Sequence, residues 1–260
     1  MEKIWHQKSY PPGVAYEIDP DKYNSLVDLF LKYTKQYQDN TAFINMGVSI
    51  SYQDFAQQAT DFAAYLQQDL GLVKGDKFAI MIPNLLQYPI ALFGALSAGL
   101  TVVNVNPLYT PRELQHQLKD SGAKAILILE NFAHVLEVVV DNTDIEQVII
   151  TGVGDRLGKI KGGLINCVLK YVKKQVPAYK LSNVTRFNLA MVKGSKLSFQ
   201  SVLLTREDLA FLQYTGGTTG AAKGVMLTHR NMVANLIQSN EMTRHVFEEG
   251  KEIMVTALLL

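Results

Sequence analysis

Apolar positions recur first at helical spacing and then in the unbroken runs of buried strands. Leu26, Leu29, Phe30 and Tyr33 share one helical face and predict a helix over about Ser25 to Tyr37. Thr41 to Asn45 reads as a strand. Ser51-Tyr52-Gln53-Asp54 is a capping box opening a helix that carries Phe55, Ala59, Phe62, Ala63 and Leu66, with Gly71 as its stop. From Lys77 the chain alternates. Lys77 to Ile82, Thr101 to Asn104, Lys124 to Leu129 and Gln147 to Ile150 read as strands. Between them lie helices from Asn84 to Gly99, from the capping box at Thr110-Pro111-Arg112-Glu113 to Gly122, and through Val135 and Leu136. Apolar strands separated by helices predict an α/β fold, with parallel sheets covered by helices on both faces and right-handed crossovers.

The pattern divides the chain. Residues 1–22 read as an N-terminal arm broken at Pro11-Pro12-Gly13, and residues 23–151 as the α/β part. Residues 152–204 form a variable basic and loop region, with a polar loop at Ser182 to Asn188. Within it Leu164, Ile165, Val168, Leu169, Val172 and Val176 share one helical face and Lys170, Lys173 and Lys174 the other. Such a helix docks on a protein core or lies on an anionic membrane surface. Residues 205–260 begin with a turn at Thr205-Arg206-Glu207-Asp208. They continue through a helix from about Arg230 to Thr243, buried through Met232, Val233, Leu236 and Ile237, to a strand at Ile253 to Ala257. The apolar Leu258-Leu259-Leu260 is unlike a finished C-terminus.

The chemistry concentrates between Leu209-Ala210-Phe211-Leu212-Gln213 and Val225-Met226-Leu227-Thr228, two apolar runs that read as strands. The connecting stretch, Tyr214 to Gly224, holds four glycines, three threonines and one lysine in eleven residues. Glycines allow positive φ and close backbone approach. Successive N–H groups then form an anion nest, to which threonine hydroxyls and Lys223 add donors and charge. A polyphosphate is the natural guest. The stretch is not a P-loop of the form G-x-x-x-x-G-K-[ST]. Ala222 stands where that motif needs glycine, Gly224 where it needs Ser or Thr, and a strand follows where it needs a helix.

Composition narrows the picture. The 260 residues are 48% hydrophobic with a net charge of +1, so bulk charge gives no case for nucleic acid. One cysteine, Cys167, excludes an internal disulfide and suits a reducing compartment. The five histidines have no metal-ligand spacing. No apolar h-region opens the chain and no run of about 18 apolar residues crosses it.

The stretch Tyr214-Thr215-Gly216-Gly217-Thr218-Thr219-Gly220-Ala221-Ala222-Lys223-Gly224, followed by Leu227-Thr228-His229-Arg230-Asn231, resembles the phosphate-binding signature of the adenylate-forming (AMP-binding) superfamily. Gly216 stands where serine is common there and Ala222 where proline is common. The Gly-Gly form is similar to that of the bacterial long-chain fatty-acid–CoA ligases. Ala91 to Gly99 and Asn104 to Thr110 also match. The resemblance implies two half-reactions: a fatty carboxylate and MgATP give an acyl adenylate, and coenzyme A then takes the acyl group. By that resemblance Thr215, Gly216, Gly217, Thr218, Thr219, Gly220 and Lys223 cradle the β- and γ-phosphates, with Tyr214 and His229 as further candidates. It implies ATP, Mg2+ and coenzyme A, a long-chain fatty acid as substrate, and a cytoplasmic protein held peripherally at the inner face of the membrane. A homodimer is one candidate assembly. It also implies a ligase about twice this length, whose adenine- and ribose-binding segments and C-terminal domain with its catalytic lysine are absent here, leaving this chain inactive alone. Other acyl- or aryl-activating members of the superfamily, and a non-catalytic nucleotide-binding fragment, are the alternatives.

Overall fold

The computed structural model describes residues 10–11, 13–15, 17–215 and 222–256. Helix α1 (Leu26–Gln36) starts at Ser25, whose hydroxyl accepts from the Asp28 N–H while the Asp28 carboxylate takes the Ser25 N–H. Strands β1 (Thr41–Asn45) and β2 (Val48–Ser51) form a separate antiparallel hairpin. Its turn is Met46-Gly47, both at positive φ (48° and 74°), as a primed two-residue turn requires. Helix α2 (Tyr52–Gln68) follows the Ser51 cap.

The main sheet takes up β3 (Lys77–Met81), β4 (Thr101–Asn104), β5 (Ala123–Leu129), β6 (Gln147–Thr151), β7 (Val184–Arg186), β8 (Leu209–Thr215) and β9 (Lys223–Thr228). Their order across the sheet is β7-β6-β5-β3-β4-β8-β9, and every neighbouring pair is parallel except β8–β9. Alternate residues of each strand go to opposite faces. Phe78, Ile80, Val102, Leu127 and Ile149 meet α2, α3 (Gln87–Ser97) and, at the far edge, α7 (Phe187–Gly194). Ala79, Met81, Val103, Ile126 and Ile150 meet α4 (Pro111–Ser121) and α5 (Ala133–Glu137). Two buried faces explain why the strands read as continuous apolar runs.

Several sequence expectations need correction. The helix after β3 begins at Gln87, not Asn84, because Pro83 to Leu86 turn first and the Asn84 carbonyl accepts from the Asn45 side chain. The polar loop at Ser182 to Asn188 contains β7, a three-residue edge strand paired with β6, and the start of α7. The basic helix α6 runs over Lys159–Cys167, continues as a π turn over Val168–Val172, and ends before Lys174, which has a positive φ. The last helix, α8 (His229–Thr243), buries Val233 fully but leaves Leu236 exposed. No strand forms within Ile253–Thr256, which are exposed and join no sheet among the described residues; Ala257 lies outside them. One sheet carries strands of both the 23–151 part and the 205–260 part, since β8 pairs with β4.

Glycine sets the spacing of α2 and α7. A Cβ on Gly194 would lie 2.0 Å from the Asp61 carbonyl oxygen, a contact only backbone movement could relieve. Gly194→Ala is therefore expected to cost about 1–3 kcal/mol of stability. Gly163→Ala, inside α6 with no atom within 4 Å of the added carbon, should instead be neutral or stabilising. Paired urea unfolding curves check both.

Candidate functional site

The glycine-rich stretch is the loop of the β8–β9 hairpin. Its two strands pair antiparallel from Leu209↔Thr228 to Thr215↔Lys223, so Thr215 and Lys223 face each other at the hairpin base. Residues 225–227 are strand, which excludes the strand-to-helix context of a P-loop. Gly216, Gly217, Thr218, Thr219 and Gly220 lie outside the described residues. Lys223 is exposed and forms no ion pair among the described residues.

The hairpin stands at the carboxyl edge of the parallel strands. After β3 the chain passes to α3 on one face, and after β4 to α4 on the other. Where neighbouring connections leave on opposite faces, a crevice opens beyond the strand ends. Polar side chains collect there. Tyr88 Oη donates to Asn104 Oδ1 (3.0 Å), and Asn104 Nδ2 donates to Gln213 Oε1 (3.3 Å). Burial pushes the Tyr88 phenol up to about 12, against the pull of its bond to Asn104. Gln117 Nε2 donates to the Asn104 carbonyl (2.7 Å). The Asn104 to Thr110 turn thus does two jobs. Its end caps α4, with the Thr110 N–H donating to Glu113 (2.9 Å), and its start reaches β8 through Gln213.

Tyr214 points to the α4 face, where its hydroxyl donates to Asp120 Oδ2 (2.6 Å); burial first, then that carboxylate, raises the phenol pKa. Its ring lies over Gly224, where an added Cβ would come within 3.0 Å of Tyr214 Cζ. Gly224, expected to line an anion nest, thereby makes room for the tyrosine.

His229 is not brought to the loop. It follows the opposite end of β9, and a six-residue strand spans about 17 Å. The imidazole is buried and its Nδ1 accepts the Leu26 N–H (3.2 Å), satisfying an end donor of α1. Burial lowers its pKa and favours the neutral ring that can accept this bond. The cap of α8 is made by its neighbours, Thr228 and Asn231, which bond reciprocally.

Sequence reasoning did not assign His116, Gln117, Asp120 or Gln213 to the site. The available signal was the one-turn spacing of His116 and Asp120 on the helix opened by Thr110, but nothing local says which helix faces the hairpin.

The AMP-binding enzyme family profile matches residues 30–259. The chain belongs to this family. It is 55% identical over 260 residues to a protein named long-chain-fatty-acid–CoA ligase from Escherichia coli O157:H7, covering 100% of this chain and 46% of that protein. A ligase of the same name from Bacillus subtilis is 36% identical over 237 residues, covering 90% of this chain and 41% of that protein. The chain thus spans about half the length of the curated relatives it matches. Among solved structures, a long-chain-fatty-acid–CoA ligase from Archaeoglobus fulgidus superposes with a TM-score of 0.67 at 24% identity, covering 92% of this chain and 43% of that one. An anthranilate–CoA ligase in complex with anthranoyl-AMP gives 0.66 at 18%, covering 82% and 37%. These show the fold: an α/β sheet of the adenylate-forming kind.

Proposed function

We propose that this segment is the ATP-phosphate-binding part of a ligase that activates long-chain fatty acids as acyl adenylates and passes them to coenzyme A. The observation that carries the reading is the placement of Lys223 opposite Thr215, at the base of a glycine–threonine hairpin on the carboxyl edge of the sheet. In the first half-reaction a fatty carboxylate attacks the α-phosphate of ATP and pyrophosphate leaves. In the second, the coenzyme A thiolate displaces AMP. Two anions must meet in the first step, so the chain's part is to disperse phosphate charge. Thr215, Gly216, Gly217, Thr218, Thr219 and Gly220 would offer N–H and hydroxyl donors, and Lys223 a fixed positive charge. Tyr214 would act only by holding β8 in place. Magnesium, when bound, neutralises phosphate oxygens. Among the described residues no group of three His, Cys, Asp or Glu is suited to hold a metal.

A chimaera tests this. This segment replaces the matching residues of the Escherichia coli ligase, and ATP–pyrophosphate exchange is measured with palmitate, with benzoate and without acid. Palmitate-dependent exchange is expected. Exchange with benzoate alone would favour an aryl-activating member. A folded chimaera that binds ATP without exchange would leave a non-catalytic nucleotide-binding module.

We further propose a peripheral site on the cytoplasmic face of the membrane, through α6 and its π turn. No helix among the described residues is long and apolar enough to cross a bilayer. Ile160 is 90% exposed, and Leu164, Tyr171 and Val172 are also exposed, with Lys159, Lys173 and Lys174 around them. Lys170 leaves this set, because its ammonium is bound to Glu130 (2.9 Å). Lys173→Gln with Lys174→Gln should weaken binding to phosphatidylglycerol-rich vesicles by about 2 kcal/mol, roughly thirtyfold, with salt acting in the same direction. Flotation showing no change in the double variant would end this reading. Self-association as a homodimer is carried from the resemblance alone, and sedimentation velocity reads it.

A further inference from the structure

We infer that α4 is the brace that sets the geometry of the phosphate hairpin, and that His116 and Asp120 are positioning residues for it. The inference rests on the phosphate role proposed for the hairpin. Three observations converge. His116 Nε2 lies 2.9 Å from the Ala222 carbonyl oxygen, immediately before Lys223. A carbonyl only accepts, so His116 donates from Nε2–H. One turn further along the same face, Asp120 Oδ2 accepts the Tyr214 hydroxyl at 2.6 Å, holding the other strand next to Thr215. Gly224 leaves the space through which the Tyr214 ring crosses to reach that carboxylate. One helix therefore grips both strands of the hairpin, one on each side of the Thr215↔Lys223 pair. Between the two grips Gln117 holds the Asn104 carbonyl at the end of β4, which ties the same helix to the crevice beside the hairpin.

The chemistry explains why a brace is needed. A glycine-rich loop has many accessible backbone conformations, and ordering it at the moment of binding costs affinity. Fixing both of its ends before the phosphates arrive removes part of that cost. Neither side chain needs to touch phosphate to act this way. Both would change how well Lys223 and the loop donors are placed.

The test uses the intact 260-residue chain and two readouts. Amide hydrogen exchange over residues 214–224 is followed without ligand, and MgATP binding is measured by calorimetry. His116→Ala and Asp120→Ala should each speed exchange in the hairpin by about tenfold while β3, β5 and β6 keep their protection. His116→Gln retains a donor near the Nε2 position and Asp120→Asn retains an acceptor, so both should return exchange to near the wild-type rate. MgATP affinity should fall and recover in the same order. Tyr214→Phe, which keeps the ring and loses only the hydroxyl, should match Asp120→Ala and guards against a variant that fails to fold. Unchanged hairpin exchange in both alanine variants overturns the inference. So does a loss of protection spread over the whole sheet without rescue by Gln and Asn, which marks ordinary packing. Local exchange that responds as expected, with pyrophosphate exchange of the chimaeric ligase unaltered by the same alanine variants, upholds the brace and overturns the phosphate reading instead.

Discussion

Lys223→Ala in the chimaeric ligase is expected to slow palmitate-dependent pyrophosphate exchange by about 10²–10³-fold, the loss typical of removing one preorganised group that meets developing charge. Stability should change by no more than about 0.5 kcal/mol, because the side chain is exposed and makes no ion pair among the described residues. The backbone of Lys223 is held by the antiparallel pair with Thr215, so the substitution removes charge without releasing the strand. Lys223→Arg should recover only part of the rate, since a planar guanidinium on a longer stem does not place its charge at the same point. Gly217→Val and Gly220→Val should be at least as damaging as Lys223→Ala, because β-branched residues resist positive φ and close backbone approach. Unaltered exchange in Lys223→Ala, with urea unfolding also unaltered, would show that the lysine does not serve the phosphates.

The second large effect is expected at Glu130, far from the hairpin. This carboxylate, at the end of β5, is buried and accepts from Arg186 through both oxygens (2.7 and 2.8 Å), from Lys170 (2.9 Å) and from Tyr179 (3.0 Å). The Arg186 bond, against the cost of burial and with help from Lys170, holds its pKa down to about 2. Glu130→Ala leaves two cations facing each other without their anion. Both are partly exposed and can turn toward water, so the cost should be about 2–3 kcal/mol rather than the full penalty of a dry, broken pair. The sign of the pH dependence follows. A carboxyl that titrates near 2 when folded and near 4.5 when unfolded adds stability above 4.5 that is lost as pH falls toward 2. Glu130→Gln should lack that part of the acid loss. Urea unfolding of both variants at pH 7 and pH 3 measures it, and an alanine variant as stable as wild type would refute the assignment.

The glycine–threonine hairpin is legible in the sequence because its constraints are local. Two apolar runs flanking a glycine- and threonine-rich stretch, with a lysine at fixed spacing, need no distant partner to be recognised. The strands from β3 to β6 are legible for a related reason, since burial on both faces forces an apolar residue at nearly every position. The elements that the sequence pattern misplaces are those whose state depends on partners far along the chain. β7 is three residues long and is a strand only because β6 offers it an edge. The residues at Ile253–Thr256 have strand-like composition and no sheet neighbour among the described residues, and they stay outside any strand.

The amino-acid pattern by itself thus determined the α/β class, the starts of α2 and α4 through their caps, and the two strands that flank the glycine-rich stretch. Tertiary structure decided which side chains lie against that hairpin. His229, only six residues past Lys223 in the chain, is carried by β9 to the opposite end of the sheet, where its ring serves α1. His116 and Asp120, about a hundred residues upstream, are brought against the hairpin because α4 packs on the face that Tyr214 enters. Lys170 likewise reads as one of three free surface lysines, yet its ammonium is bound to Glu130. Local propensity reaches only a few residues along the chain, whereas a charge or a hydrogen-bond donor acts on whatever the fold sets within about 3 Å of it.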